Sequence, residues 1–276
     1  MPAYVVQRLL VYLFAGALCL GCGFPLYWMV LTSIKPDREI IQAIPTFFTW
    51  DAHLDAYQRL FTQTRFLTYF MNSITVAGGA TLLTIAVAVL AAYGITRFRF
   101  RGREFVARTM LFTYMFAPIM IVVPFYIMMR GVGLVNSHLG LILSYTTFSL
   151  PFSMWMLRSF FQSIPLELEE AAMIDGASRP RAVALIIVPM ALPGVVAVSI
   201  FTFIVAWNDY LFARVLIGAD NLKTLPVGIQ DLYESTVTDW GMVMAAGVMI
   251  TIPALAFFVA VQRYLISGWG AGAIKG

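Results

Sequence analysis

Four carboxylates lie close together in a part of the sequence that is otherwise strongly apolar. They are Glu167, Glu169, Glu170 and Asp175. Carboxylates on a short helix can pair with Arg or Lys side chains of a partner, and small neighbouring residues permit its close approach. The sequence contains no H-E-x-x-H motif, no catalytic triad and no paired carboxylates with a supporting base. The acidic stretch therefore indicates either a docking surface or a solvated helix at a membrane surface, and not an active site.

The residues around the carboxylates predict a short helix over approximately 165–176. Pro165 suits the first helical position, the acidic residues favour the positive end, and Gly176 suits the C-terminal stop. Such a helix is about 16 Å long, which is too short to cross a bilayer. Because isolated helices of this length are marginal in water, we expect it to pack on another element.

The elements on either side of this helix have the composition of membrane spans. The chain is 61% hydrophobic and 12% charged, whereas soluble domains are about 25% charged. Six segments without Asp, Glu, Lys or Arg approach or exceed the length of about 20 residues that a bilayer core requires. They cover approximately residues 9–31, 70–95, 109–129, 139–157, 182–207 and 240–261. The sequence thus predicts an all-α integral membrane protein with six transmembrane helices.

Positive charges orient the predicted spans. Five arginines stand in the connection between the second and third segments, which predicts that this connection is cytoplasmic. They are Arg97, Arg99, Arg101, Arg103 and Arg108. Six spans then place both termini in the cytoplasm, together with the acidic helix between spans four and five. An arginine cluster beside a span needs no nucleic acid to explain it, so we expect none as a partner.

The order of seven residues in and after the acidic stretch resembles the EAA signature of ABC importer permeases. The signature residues are Glu170, Ala171, Ala172, Gly176, Ile186, Val188 and Pro189, with Val188 where leucine is usual. Four further stretches resemble permeases of carbohydrate importers, the shorter permease of maltose-type systems above all. These are TSIKPDREI (32–40), AAYGITRFRFRG (91–102), WNDYLFA (207–213) and AGAIKG (271–276).

The resemblance implies one transmembrane domain over residues 1–276, in a prokaryotic inner membrane. It implies that the short helix is a coupling helix moved by an ATPase, and that the C-terminal residues 271–276 contact the same ATPase. The implied coupling residues are Glu170, Ala171, Ala172, Asp175 and Gly176. The implied partners are a second homologous permease, a dimer of ATPase subunits that bind ATP and Mg²⁺, and an external solute-binding protein.

Two segments are candidates for contact with sugar or with the binding protein. Trp207, Asn208, Asp209 and Tyr210 combine aromatic faces, an amide and a carboxylate, which suits a sugar. An interfacial aromatic belt with Asp209 capping a helix end is the alternative interpretation of that segment. In the loop 214–239, the family resemblance implies contact with the binding protein, unless the loop is a disordered connector. The implied contact residues there are Leu225, Pro226, Gly228 and Gln230.

The absence of other motifs narrows the function classes. No G-x-x-x-x-G-K-[ST] motif occurs, so ATP hydrolysis is expected from another chain. Cys19 and Cys22 form a C-x-x-C inside the first apolar segment, but no nearby histidine or second pair completes a metal site, and we expect no metal or cofactor in this chain. The sequence predicts a non-enzymatic permease subunit for sugar uptake. An ion-gradient-driven secondary transporter is the alternative, although its expected mid-membrane ionisable residues are not found in the six segments.

Overall fold

The protein is described by a computed structural model that covers residues 3–270, so the predicted ATPase contact over 271–276 lies outside the described residues. Over the described part the regular structure is entirely helical. The α-helices are α1 (Ala3–Ser33), α2 (Asp37–Ile40), α3 (Asp55–Gln63), α4 (Phe66–Arg97), α5 (Arg103–Thr113), α6 (Pro118–Gly131), α7 (His138–Gln162), α8 (Leu166–Ile174), α9 (Arg179–Ala182), α10 (Val188–Met190), α11 (Leu192–Asn208), α12 (Leu211–Leu216), α13 (Leu225–Tyr233) and α14 (Trp240–Gly270). A π-helix lies at Val183–Ile187 and a 3₁₀ turn at Asp220–Leu222.

The chain forms two compact units. The first comprises the residues up to Leu67 together with Gly228–Pro253. In it, Arg59 of α3 donates to Asp239, 2.8 Å away, and to Asp37 of α2, 2.9 Å away. One guanidinium thus joins three segments that are distant in sequence.

The second unit comprises Thr68–Val227 and the chain from Ala254 onward, and α7 lies at its centre. Helices α5, α11 and α12 all contact α7. Gly194 lets α11 pack tightly against α7, because a Cβ atom built there would lie 2.5 Å from the ring of Phe160. Close van der Waals packing of aliphatic and aromatic side chains stabilises this core. Its largest fully buried members include Tyr145, Met154, Leu157, Phe161 and Ile187.

Two of the predicted spans are bent. The third segment is divided between α5 and α6, which meet at an angle of 102° just before Pro118. The fifth is divided at Ala191, where α11 turns by 81° from the preceding helical stretch. Pro189 and Pro193 lie on either side of this break, and proline removes a backbone donor and clashes with the preceding turn. The π-helix just before the break is a second local departure from α-helical bonding.

Among the residues described, three helices are long and apolar enough to cross a membrane, or up to five if each bent pair is one span. The three contain the predicted first, second and sixth segments. The predicted fourth segment lies within α7, a single helix of 25 residues that carries several buried hydroxyl groups. The segment 214–239, for which a disordered connector was the alternative, contains parts of α12 and all of α13.

Candidate functional site

The predicted acidic helix is α8, Leu166–Ile174. Pro165, predicted as the first helical residue, takes the N-cap position, so the helix begins one residue later than predicted. Glu170 and Ala171 are exposed, as are Asp175 and Gly176 directly after the helix, while Ala172 is half-buried. The structure therefore brings the five predicted coupling residues together on α8 and the two residues directly after it, and four of the five are exposed.

The C-terminal end of α8 explains the glycine of the signature. Gly176 has φ of +89°, the left-handed region that L side chains rarely adopt. Its N–H donates to Met173 O at 3.1 Å, and the N–H of Ala177 donates to Ala172 O at 2.9 Å. These two bonds form a Schellman motif, which satisfies the last carbonyls of the helix and turns the chain sharply toward α9.

The outer face of α8 is apolar as well as acidic. Ile174 is 85% exposed, and Leu166 and Leu168 are also exposed. A groove of about 350 Å³ lies beside the helix end, and its lining includes Asp175, Gly176 and Arg181. An exposed apolar residue among carboxylates, next to a groove, is a surface suited to a protein partner.

One carboxylate of the acidic stretch points the other way. Glu169 is only 3% exposed, and it meets two side chains of α4. The hydroxyl of Tyr93 donates to its Oε1, and Nε of Arg97 lies 3.1 Å from its Oε2. Sequence reasoning missed this contact. Glu169 shares one helix face with Ala172 and Met173, which are both half-buried, but this spacing does not identify α4 as the neighbour.

The predicted sugar-contacting segment lies at the end of α11. Trp207 is buried and stacks on Phe203, with ring centroids 5.5 Å apart. Asn208 and Tyr210 are exposed, and the amide of Asn208 donates to Ile204 O. Two members of the segment thus face outward, while Trp207 packs inside the second unit.

Asp209 is engaged within the chain. Its Oδ2 accepts hydrogen bonds from Tyr145 Oη at 2.8 Å, Phe212 N at 3.0 Å and Ala213 N at 3.1 Å. Burial raises the pKa of Asp209, while the hydrogen bonds that it accepts act to lower it. Asp209 precedes the N-cap residue of α12 and accepts from two backbone N–H groups of its first turn, a contact that fits the capping role of Asp209 in the alternative interpretation.

The predicted binding-protein contacts lie on α13 and differ in exposure. Leu225 and Gly228 are buried, and Pro226 and Gln230 are half-buried. Leu225 N donates to Ser73 Oγ at 2.7 Å, and Gln230 donates to Glu234 at 2.8 Å. Only part of this predicted set is therefore accessible.

An aromatic cavity that the sequence did not predict lies beside the bend between α5 and α6. It has a volume of about 600 Å³ and is bounded by α7 and α11. Its lining includes Tyr114, Phe116, Phe148 and Phe201 together with the hydroxyls of Thr113 and Thr147. Within the described residues no group of three His, Cys, Asp or Glu side chains is arranged to hold a metal ion.

The chain is similar to known transport proteins along most of its length. Residues 84–269 match the family described as the inner membrane component of binding-protein-dependent transport systems. The trehalose/maltose transport system permease protein MalG of Thermococcus litoralis is 35% identical over 276 residues, covering 99% of this chain and 98% of the relative.

Two solved structures share the fold. The bacterial ABC transporter that imports the acidic polysaccharide alginate matches with a TM-score of 0.85 and 24% identity, covering 96% of this chain and 98% of its own. The alginate transporter in complex with a periplasmic protein bound to an alginate pentasaccharide matches with a TM-score of 0.61 and 18% identity, covering 94% and 90%. Members of the matched family are transport subunits of the inner membrane and are not catalytic. The extent of the family match and the full-length similarity show that this chain belongs to the inner-membrane permease components of binding-protein-dependent transport systems.

Proposed function

We propose that the chain is one of two permease subunits of an ATP-driven carbohydrate importer, and that α8 is its coupling helix. One observation carries the proposal: α8 buries Glu169 while it exposes Glu170, Ala171, Asp175 and Gly176. A helix fixed on one side and open on the other can receive a partner and pass on its movement. The exposed carboxylates would pair with Arg or Lys of the ATPase, and the alanines would permit close approach.

The position of α8 supports a cytoplasmic location. Arg97, which contacts Glu169, is the first arginine of the cluster that the sequence predicts to be cytoplasmic. The coupling helix and the arginine cluster therefore lie at the same end of α4. In the proposed topology the chain spans the membrane six times, with α7 as the fourth span and with both termini in the cytoplasm.

The proposed assembly has four further components. A second permease completes the translocation pathway, two ATPase subunits bind ATP and Mg²⁺, and a solute-binding protein delivers the substrate. The carbohydrate class is supported by the full-length similarity to the trehalose/maltose permease of Thermococcus litoralis. ATP binding would close the ATPase dimer and move the two coupling helices together. This movement would open the translocation pathway between the two permeases to the outside.

The proposed pathway contribution comes from the end of α11. Asn208 and Tyr210 are the exposed members of this set and would meet the sugar, while Trp207 and Asp209 would hold their positions. On α13, the proposed contact with the binding protein falls to Pro226 and Gln230, with Leu225 and Gly228 supporting them from inside.

Charge reversal at Glu170 tests the proposal. The chain is co-expressed with its sister permease and ATPase, the complex is purified in mild detergent, and its ATPase activity is measured with and without sugar-loaded binding protein. We expect the native complex to be stimulated, and Glu170→Lys to insert normally but to lose the ATPase. Glu170→Gln, which keeps the size but not the charge, is expected to retain part of the association.

Complete assembly and full stimulation of the Glu170→Lys complex would contradict the role of α8. A permease pair that binds no ATPase, even with Glu170 intact, would contradict the ATP-driven importer itself.

A further inference from the structure

The buried carboxylate of α8 is held by two residues from one face of α4. Tyr93 and Arg97 are spaced i, i+4, so both side chains project from the same side of that helix. Tyr93 donates to one oxygen of Glu169, and the guanidinium of Arg97 lies 3.1 Å from the other. Both carboxylate oxygens therefore meet side chains of α4, one through a hydrogen bond and the other through an ion-pair contact.

Arg97 also holds the chain that leads into α8. Its Nη2 donates to the carbonyl oxygen of Ile164 at 3.0 Å, directly before Pro165 at the N-cap. Ile164 follows the end of α7, so one guanidinium joins the ends of α4 and α7 to the first turns of α8. The Arg97 side chain is 9% exposed, so solvent hardly screens these interactions.

Polar contacts of this kind constrain movement differently from apolar packing. Apolar side chains can slide past each other while they remain in contact, because each van der Waals contact is weak and depends little on direction. A buried ion pair has a defined geometry, and separating it leaves both charges without compensation. Any displacement of α8 must therefore carry the end of α4 with it or break the pair.

The length of α4 makes this contact useful for transport. The helix has 32 residues, is apolar enough to cross a membrane, and ends at Arg97. At 1.5 Å per residue it is about 48 Å long. A displacement of α8 that moves Arg97 would therefore act on one continuous helix of this length.

We infer that Glu169, Arg97 and Tyr93 form the joint through which movement of α8 is transmitted to α4. This inference rests on the proposed role of α8 as the coupling helix. Glu170 and Glu169 then have different roles. The exposed carboxylate of Glu170 binds the ATPase, and the buried carboxylate of Glu169 transmits the movement of α8 to α4. Glu169 and its partners are positioning residues, since none of them faces the proposed partner surface.

The test compares uptake with ATP hydrolysis in the complete transporter, reconstituted in lipid vesicles with sugar-loaded binding protein. Glu169→Gln keeps the shape of the side chain but removes its charge, and Tyr93→Phe keeps the ion pair but removes the hydroxyl. For Glu169→Gln we expect the ATPase to remain bound to the permease pair. We expect the amount of sugar imported per ATP hydrolysed to fall about fivefold or more, since fivefold is the lower end of typical allosteric couplings. We expect Tyr93→Phe to give a smaller decrease, and Glu169→Asp to regain part of the lost coupling.

The outcomes separate the inference from the proposed function. The inference would be overturned if Glu169→Gln imports as much sugar per ATP as the native transporter. In that case sugar uptake and ATP hydrolysis would both fall only as far as the amount of folded complex falls. Loss of the ATPase from Glu169→Gln would also overturn it, because Glu169 would then belong to the docking surface. If Glu169→Gln does not assemble at all, Tyr93→Phe decides by the same ratio. Retention of the ATPase by Glu170→Lys would refute the docking role of α8. It would not alter the amount of sugar imported per ATP in the Glu169 and Tyr93 variants, so the two failures can be told apart.

Discussion

Two carboxylates of the second unit, the buried Glu169 and the half-buried Asp209, share one kind of contact and differ in their other contacts. Glu169 and Asp209 each accept a hydrogen bond from a tyrosine of a long helix, Tyr93 in α4 and Tyr145 in α7. Glu169 also meets the guanidinium of Arg97, whereas Asp209 accepts two backbone N–H groups of the turn that follows it. The first arrangement joins three separate elements, and the second mainly stabilises one local turn.

The difference shows how one side-chain type serves two purposes. A carboxylate paired with arginine can hold distant elements in a fixed geometry. A carboxylate at the start of a helix satisfies donors that have no intrahelical partner, and its effect remains local. We therefore expect changes at the Glu169 cluster to alter transmission between elements, and changes at Asp209 to alter mainly the stability of α12.

The largest effect on stability is expected when Arg97, the cationic partner of Glu169, is replaced by a neutral residue. Arg97→Gln leaves a buried carboxylate without a counter-charge, and such losses cost about 3–5 kcal/mol. We expect the temperature of unfolding of the purified permease pair to fall markedly, as measured by intrinsic fluorescence. Arg99→Gln is the matched control, because Arg99 is exposed and belongs to the same cluster. Equal unfolding temperatures for the two variants would contradict a structural role for the ion pair.

The cluster around Glu169 also marks the limit of what the sequence could predict. The short helix and its glycine stop followed from local signals, namely Pro165 before the helix and Gly176 after it. The contact with α4 joins residues 76 positions apart, and no local pattern specifies which arginine of the cluster turns inward. The same applies to Asp209, whose partner Tyr145 lies 64 positions away.

The prolines of the fifth span predict that the span is interrupted, but they do not predict the angle of the bend. Pro189 and Pro193 predict an interruption, because each removes a hydrogen bond, whereas the angle of 81° depends on how α11 packs against α7. The bend of 102° before Pro118 is of the same kind. The aromatic cavity beside it was not predicted because its rings come from three separate segments.

A second prediction concerns Asp209. Asp209→Ala removes the acceptor of two backbone N–H groups and of the Tyr145 hydroxyl, so we expect a loss of about 2 kcal/mol in stability. Asp209→Asn keeps an acceptor oxygen, and burial already disfavours the charged form, so its stability should stay close to native. Denaturant unfolding measures both, and sugar uptake is measured in parallel. Near-native stability of Asp209→Asn with abolished uptake would assign Asp209 to the sugar pathway instead of to the cap.

A third prediction concerns the end of α8. Gly176→Ala is expected to cost about 1 kcal/mol, because φ of +89° is unfavourable for a residue with Cβ. The added Cβ atom meets open space, so the cost comes from the backbone alone. Gly176→Asn should be tolerated better, since asparagine adopts this region more readily. The measurement is the unfolding temperature together with the amount of ATPase that co-purifies, and equal values for alanine and asparagine would remove the backbone argument.

The smallest effect is expected at an exposed ion pair of the same unit. Arg158 donates to Glu104 at 2.5 Å, but the Glu104 side chain is about half exposed. Such pairs contribute about 0–1 kcal/mol, so Glu104→Gln should hardly change the unfolding temperature. A decrease as large as that of Arg97→Gln would show that burial does not distinguish the two ion pairs.

Photo-crosslinking from α8 tests the central claim most directly. A photoreactive amino acid replaces Ile174, which is 85% exposed on α8, or Val237, which is 84% exposed and precedes α14. Both versions are expressed with the complete transporter in membranes and irradiated. The account predicts that the probe in place of Ile174 links the chain to the ATPase, and that the probe in place of Val237, on the opposite side of the membrane in the proposed topology, does not. An assembled transporter in which the Ile174 position yields no ATPase adduct, or in which both positions yield it equally, would contradict α8 as the coupling helix.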